Sequence, residues 1–193
     1  MARKTEMITN ETLTREDLLT DCERSMRYHH ARERFFDGAH SFIQFLVFAA
    51  SSTGGGVLLL GEFSAESVSA VALGAVSLLA LLSLVWNPSN KGKLHRSLYR
   101  KFTRLLGEVY ANENPDNAAR AEWTRAIHEL YAQEPPVFRA LLAHCDNQVA
   151  IALDADRGHF VDLKFHQRVL RNFLPFQNGE FLSRNQLKEQ AQQ

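Results

Sequence analysis

The chain has 193 residues with 22 basic and 22 acidic side chains, so it carries no formal net charge. Neither residues 1–38 (seven bases, eight acids) nor residues 91–193 (fifteen bases, twelve acids) hold the large positive excess on which nucleic-acid binding depends, and that class of partner is not expected. Two cysteines, Cys22 and Cys145, are too few and too far apart for a disulfide framework, and reduced thiols are expected.

Residues 1–13 predict a flexible tail. Met1 to Thr14 is polar and leads into no short apolar core with a cleavage site, so no secretory signal is expected. Thr14 with Asp17 forms a capping-box pattern. It opens a helix over 14–37 that runs through Glu23, Arg24, Tyr28, Ala31 and Arg32 to Phe35 and Phe36. No proline interrupts the chain before Pro88, which allows this helix to continue into the next segment.

That segment is the most informative part of the sequence. Gly38 to Gly61 and Ser67 to Asn90 each run 24 residues without an Asp, Glu, Lys or Arg. At about 1.5 Å per residue either would extend roughly 36 Å as a helix, enough to cross a hydrocarbon core of about 30 Å. Glu62-Phe63-Ser64-Ala65-Glu66 between them is too short to hold a domain. The pattern predicts a transmembrane hairpin over 38–90, with spans at about 39–61 and 67–87. A hairpin buried inside a soluble protein is the competing reading. Lys91, Lys93, Arg96, Arg100, Lys101 and Arg104 follow the second stretch with no acid until Glu108, whereas the break carries two glutamates and no base. Basic flanks stay in the cytoplasm, so both termini are expected there, with Glu62 and Glu66 outside. The basic run also suits a contact with anionic lipid at the membrane surface. Trp86 falls at the cytoplasmic end of the second span, where an indole suits the headgroup layer, and Asn87-Pro88-Ser89-Asn90 ends it.

Residues 91–175 read as a cytoplasmic helical region. Leu94, Leu98, Phe102, Leu105, Leu106 and Val109 recur at helical spacing. After a break around Pro115, Trp123, Ile127, Leu130 and Tyr131 mark a second helix. Pro135-Pro136 predicts the start of a third, with the stripe Phe138, Leu141, Leu142, Cys145, Val149 and Ala152 or Leu153, and Gly158 ends that helix. Val161, Phe165, Val169, Leu170 and Phe173 mark a fourth, stopped by Pro175, and 176–193 reads as a polar tail. No run alternates with a period of two, so the expected class is all-α.

Little in the chain points to catalysis, and neither an enzyme, a cofactor nor a metal is expected. His144-Cys145-Asp146 are helix neighbours that face different directions, and Cys145 lies on the apolar stripe, which makes it a packed thiol. Gly54-Gly55-Gly56 lacks the Lys-Ser or Lys-Thr of a phosphate loop. In a span, small residues serve close packing instead: Ala50 with Gly54, Ser52 with Gly56, and Ala70 with Gly74. Such pairs either seal the hairpin or join copies of the chain. His40, Gln44, Ser51 and Gly55 fall within about 60° of one another on an ideal helix. Polar groups at membrane depth face protein or water, so this stripe is either an interhelix contact or the lining of a pore built from several copies. The pore-lining candidates are His40, Gln44, Ser51, Ser52 and Thr53, with Gly54 to Gly56 permitting close packing or movement.

With this layout, the pre-span segment Glu23 to Arg32 and the segment Glu134 to Ala150 (EPPVFRALLAHCDNQVA, with Asn147 in its middle) resemble the SLATT family, the SMODS- and SLOG-associating two-transmembrane effector domains of bacteria. The resemblance covers about residues 14–175 and rests on loose helix-packing patterns. It implies a homo-oligomeric, non-catalytic effector of a conflict or antiphage defence system. Such an effector forms a pore in the inner membrane, or disrupts that membrane, when a nucleotide-signalling or sensor protein is activated. The alternative expectation is a membrane-anchored scaffold whose cytoplasmic helices dock a partner protein.

Overall fold

The computed structural model describes residues 12–60, 65–154, 156–177 and 181–190. Seven α-helices follow in order among the described residues: α1 (Arg15–Leu60), α2 (Ala65–Trp86), α3 (Pro88–Ala111), α4 (Asn117–Gln133), α5 (Arg139–Ala152), α6 (Phe165–Leu170) and α7 (Arg184–Gln190). A single 3-10 turn, Arg157–His159, lies between α5 and α6. Among the described residues there is no strand, only an isolated antiparallel bridge between Val161 and Ser183, and the class is all-α as expected. The chain divides into two compact units, one of residues 31–96 and one of the flanking residues on either side, up to 30 and from 97.

In the flanking unit, α1 begins where the sequence places its cap. The Thr14 hydroxyl accepts from the Asp17 N–H at 3.1 Å and donates to the Asp17 carboxylate at 2.7 Å. Leu18, Cys22, Ser25 and His29 then recur every three or four residues and are all buried. Leu18 and Cys22 form one core with Leu98, Phe102, Leu105, Leu106 and Val109 of α3 and Trp123, Ile127 and Leu130 of α4, and His29 stacks on Phe102. Each fully buried Leu, Ile or Phe here contributes roughly 1.5–3 kcal/mol. Leu94, read as part of the same stripe, is 41% exposed. Asp116 caps α4, its side chain accepting from the Ala119 N–H at 2.7 Å.

Three expectations for the C-terminal part change. The helix read from Pro135 begins at Arg139 instead. The residue before a proline is pushed to extended backbone, and the donors just ahead of α5 are satisfied from elsewhere: Phe138 N–H by the Tyr28 hydroxyl at 3.1 Å and Arg139 N–H by the Pro175 carbonyl at 3.2 Å. The helix read over Val161 to Phe173 contracts to α6, because the backbone of Val161 is held by Asn147 rather than by a helical turn. The tail read as polar carries α7, and Phe181 packs with Val161 and Phe176 on a second small core of Ala140, Ala143 and Leu163. Arg184 fixes that segment with two bonds to Asp162, at 2.8 and 3.0 Å.

In the 31–96 unit, α1 runs on unbroken to Leu60, as the absence of proline predicts. Asn87 alone separates α2 from α3, in the left-handed region with φ 46°. Pro88 takes the first position of α3, where its missing N–H costs nothing. Gly92 packs so closely that a Cβ there would lie 2.9 Å from an Asp37 carboxylate oxygen and 3.5 Å from Phe36 Cβ.

Candidate functional site

The 31–96 unit presents the feature that water tolerates least. Val71, Leu73, Leu78, Leu81, Leu82, Leu84 and Val85 of α2 are between 51% and 83% exposed, and Phe42, Phe45 and Phe48 of α1 between 61% and 70%. Contiguous apolar surface of this extent marks a membrane or protein contact. Among the described residues one helical stretch, Leu73–Ala111, is long and apolar enough to cross a membrane by length and composition, and only 6% of its apolar window is buried. The stretch begins on α2 with Leu73 to Trp86 and runs on through Asn87 into α3.

The candidate pore-lining residues lie along α1. Gln44, Ser51 and Ser52 are exposed and His40 is half-buried. The Ser51 hydroxyl donates to the Val47 carbonyl at 2.8 Å, a bond to its own helix. His40 Nδ1 is buried without a hydrogen-bond partner among the described residues. Thr53, Gly54, Gly55 and Gly56 lie within α1, but their side-chain surroundings fall outside the described residues. Of the small residues, Ala50 is half-buried and Ala70 is exposed. A Cβ added at Gly74 would meet nothing within 4 Å. Among the described residues nothing covers the Ala70–Gly74 face.

At the foot of α2 the basic run divides into residues with different work. Arg96 is not a free surface cation. Its guanidinium donates to Glu33 at 2.5 Å and to Asp37 at 2.6 Å, and these hydrogen bonds and charges raise its pKa. Beside this clasp, the Arg32 guanidinium stands 4.6 Å from the centroid of Phe36 and 5.5 Å from that of Phe35. The His95 ring stacks on Phe36 at 5.6 Å. Trp86 sets its edge to both phenylalanines at 6.2 Å. Lys91 and Lys93 are exposed, with Lys91 Nζ 6.0 Å from the Phe36 centroid. In the other unit Arg100 and Arg104 are exposed, and Lys101 donates to Gln133 at 2.5 Å.

The flanking unit holds a buried polar core. His29 is fully buried, 3.1 Å from the Glu134 carboxylate and stacked on Phe102 at 5.4 Å. Arg24 joins Asp21 at 2.7 Å, the Tyr131 hydroxyl at 3.4 Å and Asp146 at 3.7 Å. Burial raises the Tyr131 pKa, and the charge of Asp21 adds to the effect. Burial also pushes the thiols of Cys22 and Cys145 up to about 12, with help from Asp21 and Asp146 respectively. Cys145 is thus a packed thiol, as its place on the stripe predicts. His144 is held below its usual pKa by burial, then by Arg171 and Arg168. Among the described residues no group of three or more His, Cys, Asp or Glu side chains could hold a metal ion.

The clasp, the His29–Glu134 pair and the Asn147 bonds to Val161 were absent from the sequence reading. Their partners lie 59 to 63, 105 and 14 residues apart, beyond any periodicity. No protein-family model, no curated protein and no solved structure matches the chain.

Proposed function

We propose that this protein is a two-span membrane effector. Several copies assemble through their spans and cytoplasmic helices to form a conducting path across the bacterial inner membrane. Activation rearranges the assembly and depolarises the cell, as part of a conflict or antiphage defence. The observation that carries the reading is the exposed surface of α1 from Gly38 on and of α2 after Glu66: charge-free stretches with uncovered Phe, Leu and Val, interrupted on α1 by exposed Gln44, Ser51 and Ser52. Apolar residues uncovered over this length belong in lipid. An exposed amide at that depth needs a partner from another copy or from water. One hairpin encloses no channel, so the stripe becomes a lining only when copies gather around it.

The termini lie in the cytoplasm in this reading, with the Lys- and Arg-rich foot of α2 on that side. The open Ala70–Gly74 face supplies close helix contacts between copies. The trigger is a nucleotide-signalling or sensor protein acting on the cytoplasmic helices, in keeping with the resemblance to SLATT effectors. Ion flux through vesicles containing purified protein tests the path. Wild-type protein passes ions and Gln44→Leu abolishes the flux at equal incorporation; flux unchanged in Gln44→Leu removes Gln44 from the path.

A further inference from the structure

We propose that the flanking unit docks head to tail on a second copy, with the basic apolar face of α6 in one copy seated on the acidic end formed by α3 and α4 in the next. The inference rests on the reading above that the chain acts as an oligomer, and it names a contact for that oligomer outside the spans.

Phe165, Val169 and Phe173 follow at four-residue intervals and so share one side of α6 and the turn after it. They are 83%, 55% and 61% exposed. Two phenylalanines this open, one on a six-residue helix and one in the turn after it, are a large apolar surface for a polar domain. The flank of this face is basic: Lys164 and Arg168 are exposed and Arg171 is half-buried. The fields of Arg168 and Arg171 both reach His144 on the neighbouring α5.

The charge of this face decides its occupant. Placed against itself across a two-fold axis, it would bring Lys164 and Arg168 onto their own copies, and like charges at an interface are costly. The same unit carries the opposite sign elsewhere. Residues 108–129 contain five acids and two bases, and all five acids are exposed. One of the bases, Arg125, is partly neutralised by Glu129 at 3.8 Å. Between the acids lie exposed small or flat apolar residues, Ala118, Ala121 and Tyr110, against which phenylalanine rings pack. A surface complementary to another surface of the same chain forms a heterologous contact, and such contacts close into rings where the rotation from copy to copy closes. A ring is the geometry a pore requires.

The test uses the full-length protein in detergent and two single-cysteine additions at exposed positions, His166→Cys on the α6 side and Ala121→Cys on the acidic side. Cys22 and Cys145 are at most 1% exposed and stay silent. On mild oxidation the mixed sample forms a disulfide-linked dimer, while neither variant does so alone. Phe165→Ser lowers the mixed yield about 30-fold at limiting concentration, the loss expected on removing a central aromatic anchor. Arg168→Glu lowers it too, and Glu122→Arg restores it.

Dimers of His166→Cys with itself, or no mixed disulfide at all, overturn the proposal. So does a blue-shifted fluorophore on His166→Cys in phosphatidylglycerol vesicles but not in phosphatidylcholine vesicles, which would assign the face to lipid. Light scattering and depolarisation by the wild-type protein separate the two failures. An oligomer that depolarises cells without the mixed disulfide sinks only this contact, whereas a monomer that leaves the potential unchanged sinks the pore reading.

Discussion

The side-chain amide of Asn147 takes both backbone polar groups of Val161, its Nδ2 donating to the carbonyl and its Oδ1 accepting from the N–H, each at 2.8 Å. It does for Val161 what a neighbouring strand would do. With it, the chain after α5 turns back as extended backbone, and Leu163 reaches Ala140 and Ala143. Asn147→Ala leaves both groups of Val161 without these partners and is expected to cost about 2–3 kcal/mol. Chemical unfolding of the purified protein, followed by limited proteolysis after residue 152, measures it. A loss below about 0.5 kcal/mol would mean water replaces the amide without penalty.

The His29–Glu134 pair makes a second prediction. With Nε2 as donor, Glu134→Ala strands a fully buried N–H and costs about 1–3 kcal/mol. Glu134→Gln keeps an acceptor oxygen and costs less. His29→Ala loses the bond and the Phe102 stack, and is expected to be the worst of the three. Trp123, 8% exposed in the same core, reports the unfolding by its fluorescence.

Cys22 and Cys145 are predicted to resist alkylation at pH 8 in the folded protein and to react on unfolding. Burial hides both sulfurs and holds both thiols near a pKa of about 12. The raised folded-state pKa also gives the sign of a pH effect. The folded state holds these protons more tightly than the unfolded state, so stability present below the ordinary thiol value of 9.0 is lost as the pH rises from there toward about 12. Rapid alkylation of either thiol at neutral pH in native protein would contradict the packing described.

Gly92→Leu tests the clasp at the foot of α2. A side chain there collides with the Asp37 carboxylate and Phe36, and displaces the acid from Arg96. Overpacking of this kind costs about 1–3 kcal/mol. The expected result is a lower melting temperature of the 31–96 unit, whereas Gly107→Leu, where a Cβ meets nothing within 4 Å, is tolerated. Equal melting for the two variants would show that the contact at Gly92 yields freely.

The parts of the fold that follow from local periodicity were legible in the sequence. Thr14 and Asp17 announced the start of α1, the stripe from Leu98 to Val109 announced the buried face of α3, and Trp123, Ile127 and Leu130 that of α4. The region after α5 was not legible. There Val161, Phe165, Val169 and Phe173 have helical spacing, yet Val161 pairs with Asn147 and Ser183 and packs on the small core, while Phe165, Val169 and Phe173 form an exposed face. Periodicity reports that residues share a side and says nothing of what covers it. Arg96 was read with the surface bases because its acids, Glu33 and Asp37, lie on the far side of both charge-free stretches.

The most direct test of the central claim is membrane potential in bacteria, read with a voltage-sensitive dye. Expression of the native chain is compared with a chain whose residues 38–90 are replaced by an unrelated two-span anchor, with the genetic neighbours of the protein present in both. The account predicts rapid depolarisation with the native spans and none with the replacement at equal abundance in the membrane. Depolarisation or growth arrest that survives the replacement would contradict it, and would assign the activity to cytoplasmic helices for which the hairpin is only an anchor.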